Sequence, residues 1–303
     1  MHIPVLLKES IDNLNLKEKD IVVDATVNRG GHSLSIAKKI GKGGTLICID
    51  LDEEALKEAE KFLDKNLNSK NRPNIFFINN NFRNLKKILE DLKINKIDAL
   101  IADLGVSSQE IDISGRGFSF QRDEPLLMTL KDKIEKDDLT AKYIVNNWQE
   151  ETLADIIYYY SDERYAKRIA RNIVEERKSQ EIKTTFDLID LISMSVPNNY
   201  KYGKIHFATK TFQAIRIATN DEIGAEGDLL SSLKDVLKEN SRASIITFHS
   251  GEDRVLKNFI KDNKEILKLV KFENNKVFLE PTREEIKDNV RSRSAKLRII
   301  EKK

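Results

Sequence analysis

The sequence predicts an α/β fold in which an open parallel sheet, covered by helices, is interrupted by a mostly helical insertion. From Asp20 to Gly105, short β-branched runs alternate with amphipathic helical ones, and βαβα alternation sets parallel strands side by side with helices on both faces. Between about Ile113 and Lys204 strand character is missing, and after Glu239 it resumes. A chain of 303 residues, 40% of them hydrophobic, is long enough for a core domain and a second one.

Taken in order, IVVDATV, TLICIDLD, NIFFINNNF and IDALIADLGV read as strands, and SLSIAKKI, EEALKEAEKFLDKNL and RNLKKILEDLK as the helices between them. A glycine-containing loop, SGRGFSFQRDEP, then leads into the helical stretches TAKYIVNNW, EETLADIIYYY, ERYAKRIARNIVEERK and TFDLIDLISMSV. Lys210 to Glu239 continues as helix, and RASIITFHS, ILKLVKFE and AKLRIIE restore strands. The expected domains are therefore 1–112 with 205–303 for the sheet, and 113–204 for the insertion.

Composition narrows the setting. The longest apolar runs fall far short of the roughly 20 residues a bilayer-crossing helix needs, and Met1 to Asp20 lacks a signal-peptide pattern. A soluble, cytoplasmic protein with no membrane partner is the expectation. The single cysteine, Cys48, leaves no internal disulfide and no cysteine-rich zinc site. Lys and Arg total 52 against 50 Asp and Glu, so no whole-molecule field draws the chain to a polyanion. Local charge differs: in NVRSRSAKLRIIEKK six cations, Arg291 to Lys303, face only Glu301.

The stretch DATVNRGGHS, Asp24 to Ser33, follows the first strand. In doubly wound folds that is where backbone N–H groups and a helix N-terminus converge on a nucleotide. Twenty residues beyond Gly30 the second strand ends in Asp50, the place of an acid that accepts from ribose hydroxyls. The loop lacks the GxGxxG pattern, and its lone glycine pair leaves little room for a pyrophosphate. A nucleoside ligand without phosphates, such as S-adenosylmethionine, fits better. Gly30 and Gly31 would then let the methionine part approach, Asp50 would hold the ribose, and Phe82 would flank the adenine. Against this stand an ordinary βα turn with a surface acid and Phe82 in the core, and a nicotinamide oxidoreductase resting on the same turn and Asp50. Asn28 stands where such a loop favours glycine, and Asn enters positive φ more readily than most other residues.

The fourth strand ends in ADLGVSSQEID, which puts Asp103 at the sheet's carboxyl edge with Ser107 and Ser108 beyond it. A carboxylate there would hydrogen-bond the cofactor or an amino group awaiting methylation; a capping Asp followed by a serine turn gives much the same string. Later, ITFHSGEDRVLKNF places His249 and Ser250 just past a strand, at that same edge. No GxSxG elbow supports a hydrolase. His249 with Glu252 and Asp253 reads as a helix cap with its salt bridges rather than a metal site, so no metal is expected.

Together HIPVLLKES, DATVNRGGHS, DLGVSS, RGFSF, the PLLM segment, ERYAKRIARNIVEER, KTFQAIRIATNDE, FHSGEDRVLK and RSRSAKLR resemble, in order and spacing, the bacterial 16S ribosomal RNA cytosine-N(4) methyltransferase family, from His2 to Arg298. The resemblance implies a Rossmann-like class I methyltransferase sheet with an inserted helical domain for substrate recognition. It implies methyl transfer from S-adenosylmethionine to a cytidine of small-subunit RNA near the decoding site. The family's cofactor contacts map onto Gly30, Gly31, His32, Asp50, Phe82, Asp103 and Glu110, with His32 contributing its backbone N–H. Ordinary members have Gly at Asn28, Gln at Glu110, Asp at Leu127, Arg at Thr129, Pro at Phe207, Arg at Lys210 and Leu at Gly251, which marks this chain as a divergent paralogue.

Cytosine's amino lone pair is delocalised into the ring, so catalysis has to orient that nitrogen and supply an acceptor beside it. Asp103 is assigned that role, or the positioning of the cofactor for it, with His249 and Ser250 lining the pocket of a splayed-out base. The alternative is a paralogue that binds cofactor and RNA but methylates another RNA or has lost catalysis. RNA contact is expected from the basic tail, Arg116 and the basic side of ERYAKRIARNIVEERK, although a solvated amphipathic face would give the same helix. A homodimer is left open.

Overall fold

The computed structural model describes residues 4–105, 114–131, 134–135 and 137–303. It divides into two compact units: Met1–Gly105 with Gly224–Lys303, and Val106–Ile223.

The first unit is built on seven strands: β1 Ile21–Asp24, β2 Thr45–Asp50, β3 Asn74–Asn79, β4 Ile97–Asp103, β5 Leu237–Thr247, β6 Leu267–Leu269 and β7 Lys296–Lys302. They lie in the order β3-β2-β1-β4-β5-β7-β6. Strands β1 to β5 pair in parallel, and β7 runs antiparallel between β5 and β6. The chain steps outward from β1 to β3 and returns to place β4 beside β1, so the loops leaving β1 and β4 diverge at the carboxyl edge. Such a reversal opens a ligand crevice in doubly wound sheets.

Burial on both faces explains the nearly continuous apolar strands. A first helix, α1, spans Leu7–Asp12, and on one face of the sheet Val22, Leu46, Cys48 and Ile101 pack beneath Ile36 and Ile40 of α2 (Gly31–Ile40) and Leu56 and Leu63 of α3 (Glu53–Asn66). On the other, Val23, Ile47, Leu100 and Ile245 meet Leu85 and Ile88 of α4 (Leu85–Asp91), Leu229 and Leu233 of a helix spanning Glu222–Val236, and Leu256 of one spanning Ser250–Asp262. Each fully buried Leu or Ile stabilises the fold by about 1.5–3 kcal/mol. The Cys48 thiol is among these apolar groups, and burial pushes its pKa far up, so it is an inert part of the core. Asp52 starts α3 by accepting from Ala55 N at 2.9 Å, with Glu53 and Glu54 in the favourable first turn.

Two local departures from the sequence reading have backbone causes. Helix was expected through Glu239, yet β5 begins at Leu237. The pairing with β4 shifts register between Ile97 and Ala99, and Asn240 at φ 60° supplies the left-handed residue such a bulge accommodates. The strand expected over ILKLVKFE is confined to Leu267–Leu269, because after Val270 the chain leaves the edge and enters a 3-10 turn at Glu273–Asn275.

The second unit is helical, with α5 Ala141–Asn147, α6 Glu150–Ser161, α7 Ala166–Glu176, α8 Thr185–Ser195, α9 Asn198–Lys201 and α10 Thr209–Asn220. The Glu222–Val236, Ser250–Asp262 and Arg283–Asp288 helices follow as α11, α12 and α13. Its own core joins Leu126, Met128, Ile144, Leu153, Ile157, Ile169, Ile173, Leu188, Phe212 and Ile215. A reciprocal capping box between Thr184 and Asp187 fixes the start of α8. The unit runs to Ile223, beyond the expected 204, because α10 contributes Phe212, Ala214 and Ile215 to this core.

Candidate cofactor and catalytic site

The loop after β1 is fastened to the strands on either side. Ala25 N donates to Ile101 O at 2.8 Å and Val27 N to Ile49 O at 3.1 Å. Asn28 stands at φ 48°, in the left-handed region, and its N–H donates to Asp50 Oδ2 at 2.8 Å. Asn28 therefore takes the left-handed backbone shape a glycine would and orients the Asp50 carboxylate, whose Oδ1 accepts from Asp52 N at 3.0 Å. Gly30 has φ 78°, and a Cβ on it would lie 2.6 Å from Leu63 Cδ1. A Cβ on Gly31 would lie 2.2 Å from Pro4 Cγ. Neighbouring side chains fill the space these glycines leave, so helix and N-terminal packing dictate them in addition to any ligand. The His32 ring is buried and its Nε2–H donates to Val5 O at 3.2 Å, which leaves only its backbone turned to the helix start.

Three carboxylates stand at the ends of adjacent parallel strands: Asp50 on β2, Asp24 on β1 and Asp103 on β4. Thr26 knits two of them together, its N–H donating to Asp24 Oδ1 at 3.3 Å and its Oγ1 accepting from Asp103 N at 2.6 Å. Ser33 Oγ donates to Asp24 Oδ2 at 2.6 Å. Burial raises the pKa of both Asp24 and Asp50 to about 6, against the hydrogen bonds that favour their ionised forms. Burial also lifts Asp103 to about 7, opposed by the Gly105 N–H and reinforced by the charges of Asp24 and Glu252. Asp103 Oδ1 is buried without a hydrogen-bond partner among the described residues. Orphaned acceptors of this kind mark a place where a donor or cation is missing. Neither Asp24 nor Thr26 was singled out from the sequence; the signal was their position at the head of DATVNRGGHS.

His249 caps α12. Its Nδ1 accepts from Glu252 N at 3.3 Å, which puts the ring hydrogen on Nε2, and Glu252 Oε2 accepts from Phe248 N at 2.7 Å. That Nε2 lies 3.1 Å from Glu252 Oε1 but is not aligned as a hydrogen bond. Ser250 opens the helix beside it. Asp253 forms a buried pair with Arg298, Nε to Oδ1 at 2.7 Å. The cap and salt bridges expected of His249, Glu252 and Asp253 are both present. Phe82 is half-buried against the apolar layer that contains Leu85 and Ile88. Glu110, Ser107 and Ser108 lie outside the described residues.

A seven-stranded sheet of this order, with antiparallel β7 inserted between β5 and β6, is the Rossmann-like fold of class I methyltransferases. The chain belongs to the MraW methylase family, whose model matches residues 1–303. It is 40% identical over 323 residues to a protein of Finegoldia magna named "Ribosomal RNA small subunit methyltransferase H", covering 99% of this chain and 98% of that one. It is 42% identical over 303 residues to a protein of the same name from Fervidobacterium nodosum, covering 99% and 97%. No helix among the described residues is long and apolar enough to cross a membrane.

Proposed function

We propose that the protein methylates the exocyclic N(4) amino group of a cytidine in small-subunit ribosomal RNA near the decoding site, using S-adenosylmethionine, in the cytoplasm. The observation that carries this is the match along nearly the whole length of relatives named for small-subunit rRNA methylation. The strand-end acids fit the cofactor: the orphaned Asp103 Oδ1 suits a cationic or hydrogen-donating ligand, and Asp50, oriented by Asn28 N–H, has acceptor capacity left for ribose hydroxyls. Gly30, Gly31, His32 and Phe82 complete the proposed cofactor set, with Glu110 carried from the sequence.

When bound, S-adenosylmethionine supplies an electrophilic methyl group on a sulfonium. The chain's task is then to hold the amino nitrogen in line and to receive a proton. With its pKa near 7, Asp103 is available at neutral pH both as an ionised acceptor of a hydrogen bond from the amino group and as a proton carrier afterwards. His249 and Ser250, at the next strand end, are assigned to the wall of the base pocket.

The test mixes purified protein with small ribosomal subunits and methyl-labelled S-adenosylmethionine, then maps modified nucleosides by mass spectrometry. N(4)-methylcytidine is expected with wild type and none with Asp103→Ala. Near-normal turnover by Asp103→Ala would sink the assignment, and binding of both ligands without transfer would make the protein a binding module.

A further inference from the structure

The helical unit carries a feature that methyl transfer itself does not use. Along α7 the residues Ala166, Ile169, Ala170 and Ile173 are buried, and the opposite face presents Lys167, Arg168 and Arg171, continued one turn earlier by Arg164. Spacings of three and four put these four cations in one stripe. Arg171 reaches Glu150 at 3.6 Å, whereas Arg164, Lys167 and Arg168 have no acidic partner among the described residues. The buried acid beside them, Glu163, orients local groups, its two oxygens accepting from Tyr165 N at 2.9 Å and Tyr200 Oη at 2.6 Å, and it makes no ion pair with these cations.

That last bond ties a second segment to the stripe. The Tyr200 ring meets Tyr165 edge to face at 5.1 Å, and the Arg164 guanidinium lies over both rings, 4.8 Å from Tyr165 and 4.9 Å from Tyr200. Six residues later the chain is pinned again, where the His206 imidazole is sandwiched between Phe120 at 4.4 Å and Phe207 at 4.3 Å. Phe207 is one of the departures from the family, and here it forms half of that anchor. Between the two anchors lie the half-buried Lys201, which ends α9, and the exposed Tyr202, Gly203, Lys204 and Ile205, with Tyr202 89% exposed and neither lysine paired with an acid among the described residues. A nearly bare aromatic ring set between cations, on a loop held at both ends, is costly to keep in water and has the composition of a stacking platform for single-stranded nucleic acid.

We propose that α7 and the 201–205 loop together form a single-stranded RNA-binding surface. Arg164, Lys167 and Arg168, with Lys201 and Lys204, track phosphates, and Tyr202 stacks on an unpaired base flanking the methylated one. The inference rests on the proposed RNA substrate and deepens it. The apolar face of α7 is used up in the core, which removes the amphipathic insertion a lipid surface would require, and five cations without an acidic partner among the described residues, together with an exposed tyrosine, match a polyanion with π faces.

The experiment titrates full-length protein into a fluorescein-labelled 12-nucleotide single-stranded RNA of mixed sequence, with a duplex of the same length as comparison, across a range of salt. The triple variant Arg164→Gln, Lys167→Gln, Arg168→Gln should bind at least tenfold more weakly, and the slope of log K against log salt should fall in magnitude by about 2. Tyr202→Ala should lose at least about fivefold in affinity with its salt slope unchanged, and Tyr202→Phe should restore it. Lys61→Gln, Lys65→Gln, Lys70→Gln, an equal charge change on and just after α3, should bind as wild type does. Methyl transfer to small subunits is followed in parallel, the α7 and loop variants raising KM with little change in kcat. Wild-type RNA binding and methylation that survive both sets of changes would overturn this surface and leave the proposed substrate standing. Absence of both in the wild type would overturn the two together, and equal loss of duplex binding would refute the single-strand assignment.

Discussion

Replacing Asp103 by the neutral, nearly isosteric Asn should separate its cost to the fold from its use in catalysis. Asp103 is 5% exposed, and its carboxyl is raised from 3.8 to about 7, chiefly by burial. A difference of roughly 3 units corresponds to at most about 4 kcal/mol disfavouring the ionised group in the folded, ligand-free protein. The sign follows from linkage: the folded pKa lies above the unfolded one, so this penalty is absent below pH 3.8, grows as pH rises to about 7, and is complete above that. Asp103→Asn should therefore unfold like wild type at pH 4. At pH 8, without S-adenosylmethionine, it should be more stable by one to a few kcal/mol (about 1–4). Urea denaturation followed by circular dichroism at the two pH values measures this directly. In the same range, wild-type kcat/KM should rise with an apparent pKa near 7, and Asp103→Asn should remove both the inflection and nearly all the activity. Equal stabilities of the two proteins at pH 8, or an unchanged pH profile in the variant, would refute the reasoning.

Two further perturbations probe the polar groups behind the site. Glu226 on α11 is 1% exposed with both carboxylate oxygens unpartnered among the described residues, and burial, with the charges of Glu252 and Asp253, pushes its pKa up to about 10. It stays protonated at neutral pH in the folded protein but ionises in the unfolded one, so wild type loses stability from pH 4.5 up to about 10; Glu226→Gln should unfold like wild type at pH 4 and be more stable at pH 7, by up to about 3 kcal/mol, in thermal unfolding. Arg298→Met should destabilise the protein by about 2–4 kcal/mol in urea denaturation, because it takes the buried partner from Asp253 Oδ1 and leaves that carboxylate only Lys257 at 3.1 Å and Lys296 at 3.8 Å, both on Oδ2. Burial opposes Asp253 ionisation, but its hydrogen bond and charge attraction to Arg298, with help from Lys257, win and hold its pKa below 3.8 in the wild type; in the variant that lowering is lost, so the penalty should shrink as pH falls and the unpaired carboxyl takes up its proton.

The alternation of β-branched and amphipathic runs determined the parallel strands and their order of appearance, because strands buried on both faces must be apolar throughout. Spacing alone marked Asp50 and Asp103, since an acid that closes a parallel strand falls at the carboxyl edge whatever the details of packing. The left-handed Asn28 was legible for a similarly local reason: few other side chains enter that conformation as readily.

Other features depend on residues distant in sequence. Thr26 joins Asp24 to a strand 77 residues away, the space beside Gly31 is claimed by Pro4, and Asp253 finds Arg298 across 45 residues. No local pattern encodes those pairings, which exist because β1, β4, β5 and β7 are brought side by side. The same holds for the helical unit, where the sequence offered a basic helix indistinguishable from a solvated face. Only the docking of Tyr200 and His206 against their partners set a tyrosine and two lysines beside it. Periodicity and strand-end acids, then, were sufficient to determine the class of fold and the sheet edge where the proposed site lies. Which carboxylate is stranded, which glycine is packing-bound and which cations form one surface were decided by tertiary contacts, because burial and pairing are properties of neighbours in space.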